Sequence, residues 1–315
     1  STHNQFVLER GRKVFKQSAP AIKLPVGASE RDHLGLLGLL NSSVACFWLK
    51  QVFHDKGGGG INEGHRGDKW EFFYEFTSTG LSKFPLVADA PDDLAAKLEL
   101  TAAMVAQRQP ASLMSVDAPV TRDSLDQARE ETAHLRNRMI ALQEELDWRC
   151  YRLYGLLPQG ADDGLEYDGE VEVELGQRAF EIVLARRMAS GAEQSTWFQR
   201  HHSTPIVEIP SHWPDSYRRI VERRIELIES DRNLGLIERP EYKRRWNTPA
   251  WEDLEHTALR DWLLDRLERA RAWHVSDGRT PQLTTTNRLA DTVREDAAFM
   301  QAAALFTSLN LVALL

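Results

Sequence analysis

The stretch TRDSLDQAREETAHLRNRMIALQEELDWRCYRLYG, residues 121–155, decides the fold class. Leu125, Ala128, Thr132, Leu135, Met139, Leu142, Leu146, Arg149 and Leu153 follow one another at steps of three and four over four heptads. That period lays one stripe along one helix and predicts a continuous element of about 30 residues with a coiled-coil seam. A shorter stripe, Leu94, Leu98 and Val105, lies at 92–107 behind Pro91. Proline suits the first position of a helix, where its missing N–H costs nothing. Two antiparallel helices joined through Pro110 to Pro119 would bury both stripes, so residues 91–157 are expected to form a helical hairpin spacer.

Outward from the spacer the pattern changes on both sides. Ahead of it, Leu34, Leu37, Leu40, Val44, Phe47, Trp48 and Val52 keep helical spacing, broken at Asn41-Ser42-Ser43 in the manner of a second helix's N-cap. Prolines at 20 and 25 and short apolar runs suggest two edge strands in residues 1–24. Behind the spacer, Val171 to Leu175 alternates as a short strand does, and helices fit 177–189, 214–235, 239–246, 249–273 and a last segment from about Thr286. Trp251, Trp262 and Trp273, eleven residues apart, would share a buried face. The expected architecture is mainly α: a small α+β module at 1–90, the hairpin at 91–157, and a helical body at 158–315.

The chain has 315 residues, enough to bury a core without staples, and only Cys46 and Cys150, which form no CxxC pair. A disulfide framework and a zinc finger are thereby excluded, and a reducing cytoplasm is the expected setting. No apolar run approaches the roughly 20 residues of a membrane span. The chain starts without Met and stops inside the apolar stretch Leu305 to Leu315, so it reads as part of a longer polypeptide. Net charge is -8, but residues 1–83 hold 11 Lys and Arg against 8 Asp and Glu, so the basic excess sits at the front.

Gly57 to Gly60 begins a long loop that continues through Asn62, His65, Arg66, Gly67 and Lys69. No GK[ST] follows the glycines, so a phosphate loop is excluded, and loops of this length in compact domains carry function. Base edges in a major groove are read by Arg, Lys, Asn, Gln or His, and backbone phosphates are held by Lys and Arg. Lys56, Asn62, His65, Arg66 and Lys69 supply the first chemistry on one loop, and Lys13, Lys16, Lys50 and His54 are expected to contact the DNA with them. The basic run Arg218 to Arg224 and Arg239 to Arg245 is interleaved with acids, which favours intrahelical ion pairs over phosphate contacts. Asp215 with Glu241 and Lys243 mimics a nuclease metal set on unsuitable helices, and His201, His202 and His212 lack metal-ligand spacing. No catalytic or metal site is expected.

Three separated blocks agree in order with one family. Leu34 to Ser43, Ala45 to Val52 and Lys83-Phe84-Pro85-Leu86 resemble the target-recognition region of type IIG adenine-specific DNA methyltransferases. Glu145-Leu146-Asp147-Trp148 through Leu156, Arg178 to Arg187 and Ile237 to Trp246 resemble, more narrowly, the C-terminal region of the PglX family of phage growth limitation and bacteriophage exclusion (BREX) defence. The resemblance implies double-stranded DNA as partner, a missing N-terminal methyltransferase domain, S-adenosylmethionine as the parent's cofactor, and other Pgl proteins as further partners. Departures are equally informative: the sequence has no FxGxG-type loop and no Asn-Pro pair, where the family places cofactor and adenine. This part is expected to bind no cofactor and to recognise DNA without catalysis. The competing expectation is a helical adaptor for other defence proteins.

Overall fold

The structure, a computed structural model, describes residues 2–11, 21–55, 69–114, 120–161, 164–268, 273, 280 and 282–312. In chain order the helices are α1 Glu30–Leu40, α2 Ser43–Val52, α3 Ser78–Leu81, α4 Asp92–Gln107, α5 Pro110–Leu113, α6 Arg122–Leu153, α7 Ala179–Ala189, α8 Trp197–Arg200, α9 Asp215–Ser230, α10 Arg232–Ile237, α11 Trp251–Leu267, α12 Thr286–Arg294 and α13 Ala297–Val312. The fold is mainly α. Among the described residues the only β pairing is one isolated antiparallel bridge, Asp55 to Tyr74. Of the strands expected in 1–24 and at 171–175, the described residues form no ladder, and residues 1 and 12–20 lie outside them. Val173 instead donates its N–H to Asn137 O of α6 at 3.2 Å, so the alternating segment lies along a helix and finds no strand partner.

Contacts divide the chain into two compact units, residues 1–101 with 137–247, and residues 102–136 with 248–315. α4 and α6 each contribute to both.

In the first unit the paired caps between α1 and α2 follow the serine chemistry. Ser29 caps α1 with a reciprocal Asp32, and the Ser42 side chain accepts from Ala45 N to start α2. The glycines of the LGLLGLLN run permit close approach. A Cβ on Gly35 would stand 2.8 Å from the Ala90 Cβ, and one on Gly38 would stand 3.0 Å from the Pro91 Cγ, so α1 lies directly against the start of α4. Leu39, Leu40, Leu94, Ile140, Leu146, Trp148, Tyr151, Tyr217 and Ile225 belong to one core. The KFPL segment closes on the same side, where Phe84 meets Trp48 edge to face and Tyr154 Oη donates to Pro85 O at 2.8 Å.

The second half of α6 departs from a simple amphipathic helix. Residues 140, 141, 143–148, 150 and 151 are all buried, which encircles the helix. Gln143, Glu144, Glu145 and Asp147 are therefore inside. Residues 239–246 are not the expected helix. The Arg239-Pro240 step disfavours helical backbone at Arg239, a turn bonds Tyr242 N to Arg239 O at 3.0 Å, and no helix follows before α11.

In the second unit Arg122 grips Glu255 through two guanidinium nitrogens, at 2.5 and 3.0 Å, and Phe306 of α13 stacks on His256 of α11 at 4.6 Å. Leu125 and Leu259 are fully buried. α11 stops at Leu267, short of the expected 273, and the tryptophan stripe is not core. Trp251 and Trp262 are half-buried, while Trp273 is exposed and bonds back to Leu267 O at 2.7 Å.

Candidate functional site

The chain leaves α2 at Phe53 and returns at Lys69–Glu71, a single 3-10 turn. The Asp55 to Tyr74 bridge ties the outgoing and returning backbone together into a closed root on either side of residues 56–68, which lie outside the described residues. Aromatic side chains fix that root. Phe53 meets Phe76 edge to face at 5.5 Å, Tyr74 stacks on Phe76, and a Cβ on Gly80 would collide with the Phe53 ring, so only glycine admits that ring there. The returning side is held by Trp70, buried against Trp197 at 5.3 Å and His201 at 5.3 Å, with Phe180, Leu184 and Phe198 in the same cluster. Glu71 adds an ion pair to Arg200 at 3.6 Å.

Of the residues expected to touch DNA, Lys13, Lys16, Lys56, Asn62, His65 and Arg66 lie outside the described residues. Lys69 opens the 3-10 turn, and His54 is exposed beside the bridge. Lys50 is only 8% exposed. Its ammonium donates to Glu241 O at 2.6 Å and lies 5.3 Å from the Tyr74 ring centre, and burial lowers its pKa. In this placement Lys50 ties α2 to the 239–243 turn.

Beneath the root sits a charge network that spacing did not reveal. Lys243 Nζ is fully buried among Glu238 at 2.8 Å, Asp147 at 2.9 Å and Glu144 at 3.3 Å. Tyr151 Oη donates to Glu238, and Asp147 also accepts from Ser43 N at 2.7 Å and Ser43 Oγ at 2.6 Å, bonds that fix the start of α2 to α6. Arg178 holds Glu181 by two bonds, at 2.8 and 2.9 Å, while Glu181 accepts from Trp197 Nε1 at 2.9 Å. Arg224 reaches Glu145 at 2.8 Å and also bonds Leu165 O. Of the basic residues at 218–245, Arg218 makes the expected local pair with Asp215, whereas Arg224 and Lys243 reach Glu145 and Asp147 of α6. Burial raises the Glu144 pKa to about 7, against the attraction of Lys243. Lys243 itself is raised: burial works to lower it, and the fields of Asp147, Glu144 and Glu238 more than offset that.

Histidine and thiol chemistry is suppressed in the same region. Cys46 Sγ lies 3.3 Å from His3 Nδ1, an arrangement that could suggest a nucleophile and base. Burial pushes the Cys46 thiol up to about 11 and His3 well below its ordinary value, so neither ionises near neutral pH. His201 Nδ1 donates to Trp197 O, and burial lowers its pKa to about 4. Among the described residues no group of three or more His, Cys, Asp or Glu is arranged to hold a metal ion. No described helix is long and apolar enough to cross a membrane.

Comparison with known proteins gives two matches. A family model described as a domain of unknown function, DUF7008, covers residues 139–314. The chain is 47% identical over 311 residues to the adenine-specific methyltransferase PglX of Streptomyces coelicolor. That alignment takes in 97% of this chain and 26% of the relative, so the chain spans about a quarter of that protein's length, in its C-terminal region. No solved structure matches.

Proposed function

The chain belongs to the DUF7008 family, and from its likeness to an adenine-specific methyltransferase we propose that it is the DNA-recognition and scaffold portion of an N6-adenine DNA methyltransferase in bacterial anti-phage defence. The single observation that carries this reading is the closed root formed by Asp55 and Tyr74 on either side of residues 56–68. A loop that reads bases must be long enough to enter a groove and rigid at its base, because a site displaced by about 1 Å loses its bonds. The Asp55 to Tyr74 bridge and the buried Trp70 supply the rigidity, and Lys56, Asn62, His65, Arg66 and Lys69 supply donors for base edges.

The division of labour follows from the sequence. Neither the glycine loop for S-adenosylmethionine nor the motif that grips a flipped adenine is in this chain. Methyl transfer belongs to the rest of the enzyme, with S-adenosylmethionine as its cofactor. Residues 1–90 contact double-stranded DNA, and the helices behind them hold that module in register with the missing methyltransferase domain. The setting proposed is the cytoplasm, with other Pgl proteins as partners.

The test is the methylated motif. Arg66→Ala in the full-length enzyme is expected to relax sequence preference at one position, since a base-reading side chain contributes about 1–3 kcal/mol of discrimination. Sequencing of methylated genomic DNA reads the outcome. An unchanged motif after replacing Lys56, His65, Arg66 and Lys69 together would put recognition elsewhere. Loss of all DNA binding by the wild-type enzyme at low salt, with a defence protein retained instead, would support the adaptor.

A further inference from the structure

The buried cations of the first unit differ in what they meet, and Lys50 meets the Glu241 carbonyl. Arg178, Arg224 and Lys243 each meet buried carboxylates. For Arg178 and Arg224 burial works to lower the pKa, but Glu181 and Glu145 outweigh it and both are raised. Arg244 and Arg245 are different. Arg245 donates Nη1 to the Thr2 hydroxyl at 2.8 Å, and Arg244 donates to the Asn41 amide oxygen at 3.4 Å and lies over the Trp246 ring at 5.1 Å. The Nε of both and the Nη2 of Arg245 are buried and meet no acceptor. The Arg245 guanidinium lies over the Trp70 ring at 4.9 Å, and so stands at the returning end of the loop root. Burial lowers Arg244, and it lowers Arg245 to about 10. The two, with Lys50, also hold the buried His3 neutral, after burial itself.

Leaving a guanidinium buried without an anion is costly, and this molecule satisfies that demand at three other cations within the same unit. Two consecutive exceptions at the foot of a loop call for an anion from outside. A phosphate supplies several acceptor oxygens and negative charge, and guanidinium forks match that geometry.

We propose that Arg244 and Arg245, with Lys50 behind them, form a receptor for a DNA backbone phosphate at the root of the 56–68 loop. The proposal rests on the DNA-recognition reading and adds the contact that positions the duplex without reading its sequence. In that role the pair sets register and the loop donors set the motif.

The experiment uses the full-length enzyme, with duplexes that do and do not carry its methylated motif, over a salt series. Arg245→Gln is expected to weaken both duplexes by the same factor. The slope of log K against log salt is expected to become shallower by about 0.9, the value for one phosphate contact, with the methylated motif unchanged. Folding is checked separately. Removing an unmatched buried charge should leave the melting temperature unchanged or raise it, and inorganic phosphate should stabilise the wild type beyond chloride at equal ionic strength but not the Arg244→Gln, Arg245→Gln double variant. A wild-type salt slope in the double variant overturns the receptor while leaving loop recognition standing. An altered motif in Arg245→Gln makes the residue a base reader and also overturns it. If the wild type binds no duplex at low salt, both the receptor and the DNA reading fall.

Discussion

Lys243→Met is the sharpest perturbation of the fold, because it keeps the side-chain volume and removes one charge. In the native protein that charge lies within 3.3 Å of three carboxylates, and all four side chains are 2% exposed or less. Taking away one partner of a buried pair costs about 3–5 kcal/mol, since the remaining charge has neither water nor counter-ion. Three acids would be stranded here, and one relief is open: Glu144, already raised to about 7 by burial, can take up a proton. The cost is therefore expected to stay near that range at pH 7 and to shrink on acidification. With about 2–4 °C per kcal/mol for a domain of this size, the melting temperature should fall by roughly 6–20 °C at pH 7. Arg239→Met, at an exposed neighbour on the same turn, should move stability by no more than about 0.5 kcal/mol. Thermal and urea unfolding of both variants at pH 7 and pH 5 measure these differences. A Lys243→Met protein that melts within about 2 °C of the wild type at pH 7 would refute the reasoning, as would a deficit that does not narrow at pH 5.

Glu144→Gln tests the other side of the same network. The Glu144 pKa is raised from 4.5 to about 7 by burial, so between these values the folded state holds a proton that the unfolded state has released, and stability falls as pH rises through that window. The variant should flatten that fall and unfold at higher urea than the wild type at pH 8; an identical pH profile would remove Glu144 as its source. Gly38→Val should destabilise by about 1–3 kcal/mol through overpacking, because its first added carbon already meets Pro91 and Ala95 at 3.0 and 3.3 Å. A melting curve at or above the wild-type one would mean that α1 can move away from α4.

The helices were legible wherever apolar spacing was undisturbed. α4 runs over the expected 92–107, the break at 41–43 is a true cap, and α6 spans nearly all of 121–155. The seam read along α6 was only part of its packing. Leu135, Met139 and Leu142 are half-buried, whereas Ile140, Trp148 and Tyr151, off the heptad stripe, are fully buried. The reason is that Gln143-Glu144-Glu145-Leu146-Asp147 looks like the wet face of a surface helix. It is dry because its partners, Arg224, Glu238 and Lys243, arrive from 79 or more positions away along the chain in most cases. No local period encodes such a meeting. The 239–246 helix failed where Pro240 interrupts it, and basic residues read as partners in intrahelical ion pairs reach other elements instead: Lys243 meets Asp147, Arg244 meets Asn41 and Arg245 meets Thr2.

Buried ion pairs are weak evidence for stability but can fix which elements meet. Here the pairs converge on one task. Asp147 joins Ser43 at the start of α2 to Lys243 on the 239–243 turn, and Lys50 near the end of α2 bonds the same turn at Glu241. Arg178 adds a bond to Arg244 O at 2.7 Å, so the turn is also tied to the start of α7. α2 delivers the chain to the loop's outgoing side, and Arg245 covers Trp70 on its returning side. Apolar packing alone would allow these elements to slide against one another by a fraction of a turn, whereas hydrogen bonds to a buried carboxylate accept only one alignment. On the proposed DNA-recognition reading, donors that must meet base edges within a few tenths of an ångström gain from that alignment. The polar core thus accounts for a feature that hydrophobic patterning cannot: why acids and bases stand where a seam of leucines would have folded as well.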